Sequence, residues 1–223
     1  MPVIIAELEV YRQLIGRLIY LGYSRLDISH AFEQLSRFLQ SPCQQHWDAT
    51  IQRALLSRRQ YTLFKAYRDA DWAASEDSRH SLTGYCTFFG STLISWKTKK
   101  QSTVSRSTTE AKYRSMGTTA CELTWIFNLL KDLQVHVTIP IPFLCDNQAA
   151  LHITTNLVFH LQLKHLKIDC HLVLDKYKSG FLAPSHVPSK AQLVDVFTKT
   201  LIDSHFLSLV SKLGLVNLLP SPT

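Results

Sequence analysis

Acidic residues at the ends of apolar segments are the side chains of this chain best suited to chemistry. Asp69 and Asp71 lie in Tyr67-Arg68-Asp69-Ala70-Asp71-Trp72, and Glu110 opens a long amphipathic stretch. Asp146 follows Phe143-Leu144-Cys145, and Asp195 falls inside Leu193-Val194-Asp195-Val196-Phe197. Carboxylates converging on one point can hold two hard divalent cations roughly 3.5–4 Å apart, an arrangement that hydrolyses phosphodiesters. Each acid also has a plainer reading. Asp69 and Asp71 fit a turn, and strand alternation puts both on one face, so pattern alone does not choose between them. Ser107-Thr108-Thr109-Glu110 fits a capping box, and Asp146 fits a helix cap. Asp195 is either on a solvated helix face or aimed at a site. The placement of the acids is more informative as a set than one by one.

The elements that would position them are legible from periodicity. Val10, Leu14, Leu18 and Leu21 recur as one helical face. A second helix is expected from Ile28 to about Leu39, capped by Asp27, and a third from Gln45 to Arg58. Tyr61 to Arg68, Leu82 to Phe89 and Thr92 to Lys97 are rich in β-branched and aromatic residues and read as strands, the last two joined as a hairpin at Phe89-Gly90-Ser91. A long helix is expected from Thr108 to Leu133, its stripe running Tyr113, Met116, Ala120, Leu123, Phe127, Leu130. Ile139 to Leu144 and Phe181 to Val187 read as strands, with a short helix after Asp146-Asn147 and a longer one from Lys164 to Lys178. The tail from Ala191 to Leu213 reads as helix. The order suits an antiparallel meander followed by strands added in parallel through helices, an α/β domain.

Composition sets the boundaries of function. In 223 residues, 46% hydrophobic and 18% charged content describe a globular chain with a full core. The formal charge of +7 favours a polyanionic partner, nucleic acid before an acidic membrane surface. Five cysteines stand singly, with no C-x-x-C pair, which argues against a disulfide framework or a zinc ribbon and for a reducing, intracellular compartment, cytoplasm or nucleus. No apolar run approaches the roughly 20 residues that span a bilayer. Met1 to Glu9 lacks a basic n-region, so no signal peptide is expected. His160, His165, Cys170 and His171 invite a zinc reading, but their spacing does not put three ligands on one helical face.

A series of colinear blocks carries a resemblance. They are Tyr11-Arg12-Gln13-Leu14-Ile15-Gly16, Arg25-Leu26-Asp27-Ile28, Leu35-Ser36-Arg37-Phe38, the Asp69–Asp71 segment extended to Ala73, Leu82-Thr83-Gly84-Tyr85-Cys86 and Ile94-Ser95-Trp96-Lys97. Lys99-Lys100-Gln101, Ser107-Thr108-Thr109-Glu110-Ala111, Cys145-Asp146-Asn147, Lys164-His165-Leu166-Lys167-Ile168-Asp169 and Gln192 to Lys199 complete the series. Residues from about Val10 to Leu213 resemble the end of the Pol polyprotein of copia-type retrotransposons, where reverse transcriptase runs into ribonuclease H. The resemblance implies a ribonuclease H-like α/β fold, with a five-stranded mixed sheet flanked by helices and a small helical subdomain before it. On this reading residues 1–60 are a remnant of the reverse transcriptase thumb and connection, 61–215 the ribonuclease H-like domain, and 216–223 a tail.

The implied activity is cleavage of the RNA strand of an RNA–DNA hybrid with two Mg²⁺ or Mn²⁺ ions. The implied ligands are Asp69, Glu110, Asp146 and Asp195, which chooses Asp69 over Asp71. Asp69 and Asp146 would hold the metals, Glu110 would help hold one and orient a water, and Asp195 would complete the second site. Lys97, Lys99, Lys100, Arg106, Lys112 and Arg114 bunch near the proposed site in sequence and are expected to track phosphates, against the plainer reading of a strand edge guarded by lysines. The partners implied are the hybrid and an upstream reverse transcriptase domain, with no membrane and no disulfide-linked partner.

The sequence departs from the family in several places. No two aspartates are adjacent, so the polymerase's own motif is absent. Arg53 to Tyr67 looks shortened. Leu26 stands where the family usually has proline, Lys112 where it has glutamate, and Thr200 where it has proline. Lys112, two residues beyond Glu110, is expected to point elsewhere on the helix. His186 precedes Val187-Pro188 and reads as a strand-end surface histidine rather than a proton-transfer group. The departures keep a second reading open, a decayed fragment that binds nucleic acid without cutting it or served as a connector.

Overall fold

In a computed structural model, residues 8–23, 25–54, 63–155 and 167–215 are described. They form α1 (Leu8–Gly22), α2 (Leu26–Ser36), α3 (Gln44–Ala54), β1 (Phe64–Asp71), β2 (Leu82–Phe89), β3 (Thr92–Lys100), α4 (Thr108–Asp132), β4 (Ile141–Cys145), α5 (Gln148–Thr155), α6 (Lys167–Lys178), β5 (Leu182–His186), α7 (Asp195–Thr198) and α8 (Asp203–Lys212). The beginnings expected for the first strand at Tyr61 and for the long helix at Lys164, the end of the third helix at Arg58 and the tail 216–223 lie outside the described residues. The chain divides into two units, one of Met1–Thr62 with Trp125–Val137, the other of Leu63–Thr124 with Thr138–Thr223.

The first unit buries one face of α1 against α2 and the last turns of α4. Tyr11, Leu14, Ile15 and Leu18 meet Ile28, Phe32 and Leu35, with Leu129 and Leu133 from α4. The buried stripe is rotated from the expected one. Val10 is 38% exposed, while Tyr11 and Ile15 are fully buried. Tyr11 can enter the core because its hydroxyl donates to the Leu35 carbonyl at 3.2 Å, which satisfies its polar tip. The cap expected at Asp27 is also displaced: α2 begins at Leu26, with Arg25 in the cap position, so Asp27 lies in the first turn. Arg17 pairs with Asp132 at the end of α4.

The second unit is built on a five-stranded sheet of order β3-β2-β1-β4-β5. β1, β2 and β3 are antiparallel, and β4 and β5 add in parallel on the other side of β1. Helices flank this mixed sheet, consistent with the ribonuclease H-like fold that the resemblance implies. The β2–β3 hairpin turns at Gly90, whose φ of 63° is the left-handed region that glycine enters without a Cβ penalty. β1 is central, and both Arg68 and Asp69 on it are fully buried. Arg68 donates to the Lys112 carbonyl at 2.8 Å and lies 5.7 Å from the Phe143 ring, fastening β1 to α4 and β4.

The helical tail expected from Ala191 to Leu213 takes the form of the short α7 and of α8, preceded by a 3₁₀ turn at Ser189–Ala191. Leu193, Val194, Leu209 and Leu213 from these pieces pack with Cys86 and Phe88 of β2. Among the described residues no helix is long and apolar enough to cross a membrane, and all five cysteines are free thiols.

At Gly117 the backbone of α4 faces the Asp169 side chain of α6. A Cβ there would lie 2.5 Å from Asp169 Oδ1 and 3.0 Å from Asp169 Cβ. Alanine ordinarily stabilises a helix interior over glycine by about 0.5–1 kcal/mol. Here overpacking outweighs that gain, so Gly117→Ala is expected to lower the unfolding free energy by about 1–2 kcal/mol, read from the midpoint of urea unfolding. An unchanged or raised midpoint would mean that α6 yields freely at Asp169.

Candidate active site

Parallel pairing of β1 with β4 brings two of the predicted acids to the same end of the sheet. Tyr67 stands opposite Leu144, and Asp69 and Asp146 each follow two residues further along. Asp195, the first residue of α7, is buried close to them. Gln192 holds this segment to β1, its amide donating to the Arg68 carbonyl at 3.1 Å.

Two lysines knit the three aspartates together. Lys112 Nζ is 2.9 Å from Asp69 Oδ1 and 2.6 Å from Asp146 Oδ1. Lys199 Nζ is 2.9 Å from Asp69 Oδ2 and 2.8 Å from Asp195 Oδ1. Both Asp69 oxygens are buried, and neither accepts a well-formed hydrogen bond; the ammoniums sit beside them as charges. Burial alone would raise the Asp69 pKa, but Lys112 and Lys199 together hold it below the usual carboxylate range. Asp195 is shifted upward by burial, only partly offset by Lys199, with Asp69 and Asp146 adding repulsion. Burial works against the charged form of both lysines, yet the aspartates outweigh it and raise both pKa values.

Glu110 is placed differently. Its amide donates to Ser107 Oγ at 3.1 Å, and its carboxylate accepts from the Arg106 amide at 2.9 Å. That is a capping box with the return bond shifted one residue outward. Arg114, four residues on, adds a contact of 3.0 Å to the same carboxylate. The expectation that Lys112 points away from the site is reversed: it is Lys112 whose ammonium reaches Asp69 and Asp146. A sequence signal existed, since Lys112 stands four residues before the buried Met116 and so borders the same helical stripe. Lys199 was also missed, although it stands four residues after Asp195 and forms an i,i+4 pair with it.

The remaining predicted residues are surface features. Lys97, Lys99 and Lys100 are exposed along β3 at the sheet edge, and Arg106 is exposed before α4. Lys99, Lys100 and Arg114 line a cleft of about 210 Å³ with Gln101, Thr103 and Asp169. Trp72 and Trp96 are both part-exposed, and the Trp72 indole donates to the Ser105 carbonyl at 2.8 Å. His186 ends β5 and is exposed. Of the histidine–cysteine cluster, His160 and His165 lie outside the described residues, Cys170 is buried and His171 exposed.

The three aspartates are hard oxygen donors of the kind that Mg²⁺ and Mn²⁺ take. The two buried Asp69 oxygens, without well-formed hydrogen bonds, fit a cation in their chemistry. Among the described residues no three His, Cys, Asp or Glu side chains are grouped closely enough to hold a metal by themselves. Lysine nitrogens bridge the carboxylates.

No protein-family model matches the chain. It is 39% identical over 222 residues to the retrovirus-related Pol polyprotein from transposon RE1 of Arabidopsis thaliana, covering 95% of this chain and 15% of that protein. The corresponding polyprotein from transposon RE2 of the same plant is 37% identical over 222 residues, again 95% of this chain and 15% of the other. The polyprotein from transposon TNT 1-94 of Nicotiana tabacum is 31% identical over 207 residues, 88% of this chain and 16% of the other.

Proposed function

Because the chain belongs to the retrovirus-related Pol polyproteins of copia-type transposons, and spans about 15% of the length of the relatives RE1 and RE2, we propose that its second unit is a ribonuclease H-type site for the RNA strand of an RNA–DNA hybrid. The observation that carries this reading is the meeting of Asp69, Asp146 and Asp195 from β1, the end of β4 and α7 around shared cations. These three carboxylates, spaced here by Lys112 and Lys199, would have to draw together as the lysines give way in order to hold the metal ions. When bound, Mg²⁺ or Mn²⁺ supplies Lewis-acid polarisation of the scissile phosphate and a more acidic attacking water.

The protein's own residues do the rest. Burial of Asp69 keeps its carboxylate fixed on a central strand, so the reacting phosphate is positioned rather than sought. Gln192 fixes the segment that carries Asp195. Lys97, Lys99, Lys100, Arg106 and Arg114 would track the phosphates of the duplex. Glu110 would help to hold one ion and orient a water, its carboxylate here serving the start of α4 and Arg114. The first unit, in this reading, joins the site to an upstream reverse transcriptase.

A second reading, binding of the hybrid without hydrolysis, is favoured by one observation, the two lysines already paired with the aspartates. A single experiment separates them. Binding of a labelled RNA–DNA hybrid is followed by anisotropy in EDTA, and cleavage by gel after adding Mg²⁺ or Mn²⁺, for the full chain and for Asp146→Asn. Metal-dependent cleavage that disappears in Asp146→Asn is the expected result. Binding without cleavage turns the conclusion to the second reading, and a folded protein that does neither removes both.

A further inference from the structure

We propose that Lys112 is a built-in cation that competes with divalent metal for Asp69 and Asp146, so that this chain takes metal weakly until that side chain is removed or displaced. The inference rests on the hydrolytic reading of the same three aspartates.

The geometry carries it. Asp69 and Asp146 are the two acids that parallel pairing sets side by side, the natural bridging pair for a hard cation. Lys112 claims one oxygen of each, at 2.9 and 2.6 Å, with a side chain only 13% exposed. Its backbone is fastened as well: its carbonyl accepts from Arg68 Nη1 at 2.8 Å and from Ser115 Oγ at 2.7 Å. The ammonium is therefore delivered by a fixed turn of α4, at a local concentration that a dissolved ion must overcome.

Charge adds a second argument. Three carboxylates and two ammoniums leave the cluster with a single net negative charge. Removing the Lys112 charge doubles the negative charge that attracts a cation and vacates the bridging position. Lys199 differs. It joins Asp69 to Asp195, is 31% exposed, and leaves the Asp146 side open.

The test is metal binding in its own right, on the full-length protein. Mn²⁺ is titrated into wild type, Lys112→Gln and Lys112→Met, with free Mn²⁺ read by electron paramagnetic resonance and thermal unfolding measured with and without the ion. Both variants are expected to bind Mn²⁺ about tenfold or more tightly than wild type, and to gain thermal stability from it that wild type does not. Adding Asp146→Asn to Lys112→Gln should abolish the gain. Wild type binding Mn²⁺ as tightly as the folded variants would overturn the proposal, and so would folded variants that bind no better than wild type. Hybrid cleavage in the same samples keeps the two ideas apart. Variants that gain Mn²⁺ but never cut leave the competition standing and sink the hydrolytic reading. Wild type that binds and cuts as well as the variants does the opposite.

Discussion

Asp69→Asn lowers the unfolding free energy by about 2–3 kcal/mol at pH 7, and that loss shrinks progressively once the pH falls below about 4. The substitution keeps the shape of a fully buried side chain and removes its charge. Two ammoniums then lose a partner that stands 2.9 Å from each. Removing one member of a buried pair costs roughly 3–5 kcal/mol when the other is stranded. The figure here is set lower because Lys112 keeps Asp146 and Lys199 keeps Asp195.

The direction of the Asp69 pKa decides the sign. Burial pushes it up, but the two lysines prevail and hold it below its ordinary value. The folded state therefore favours the carboxylate. Its contribution is complete above the unfolded pKa of about 3.9 and is lost as pH falls through the lower folded value. Asp195 works the other way, since its folded pKa is raised, so its ionisation opposes folding as pH rises past the unfolded value. The difference between wild type and Asp69→Asn carries the Asp69 contribution together with the relief of its repulsion on Asp195. Urea unfolding at pH 7 and at pH 3 supplies it. A difference equal at both pH values would assign the loss to shape, not charge. In a Lys112→Gln background the cost of Asp69→Asn should shrink, because one of the two charge pairs is already absent.

Some of this architecture could be read directly from the chain. The strand Leu82–Phe89 and the hairpin at Gly90 were legible because β-branched and aromatic residues flank a glycine that must take positive φ. The start of α4 was legible from its capping box and its stripe, and Tyr113, Met116, Ala120 and Leu123 are all fully buried. The stripe then drifts: Phe127 and Leu130 are only half-buried, while Ile126 and Leu129 go inside. The helical character of the tail was legible, but its break into α7 and α8 was not, because its apolar residues answer to β2 rather than to one helical period.

The site shows the same division. Asp69, Asp146 and Asp195 stood out as carboxylates within or beside apolar segments, but pattern left Asp69 and Asp71 equal, and only the resemblance chose between them. The part of α4 that meets them was not legible, since Glu110 and Lys112 lie about 200° apart on the helix and only the packed structure fixes its rotation. Periodicity gives a stripe; it does not say which flank of the stripe looks along the sheet towards β4.

Gly84→Val is expected to lower the unfolding free energy by about 3 kcal/mol, the upper end of ordinary overpacking. Gly84 stands opposite Asp69 in the β1–β2 ladder. The space a side chain would fill is already taken by α7 and its approach: a Cβ would lie 2.5 Å from Thr198 Cγ2 and 2.7 Å from Val194 Cγ1. A β-branched residue in a strand would ordinarily be worth up to about 1 kcal/mol over glycine, far too little to offset two such contacts. The damage is not confined to stability, because the displaced segment carries Asp195 and Lys199. Moving it draws Lys199 from Asp69, so Asp69→Asn should cost less in the Gly84→Val protein than in wild type. Gly84→Ala is the milder case, and Thr198→Ser gives its rescue. Serine lacks the Cγ2 methyl but keeps a hydroxyl for the 3.2 Å bond to the Val194 carbonyl. Urea unfolding of the single and double variants decides the matter. Recovery of part of the loss in Gly84→Ala with Thr198→Ser would confirm contact at that methyl. A Gly84→Ala protein as stable as wild type would mean that α7 shifts without cost, and that Asp195 and Lys199 are held in place by their charges rather than by β2.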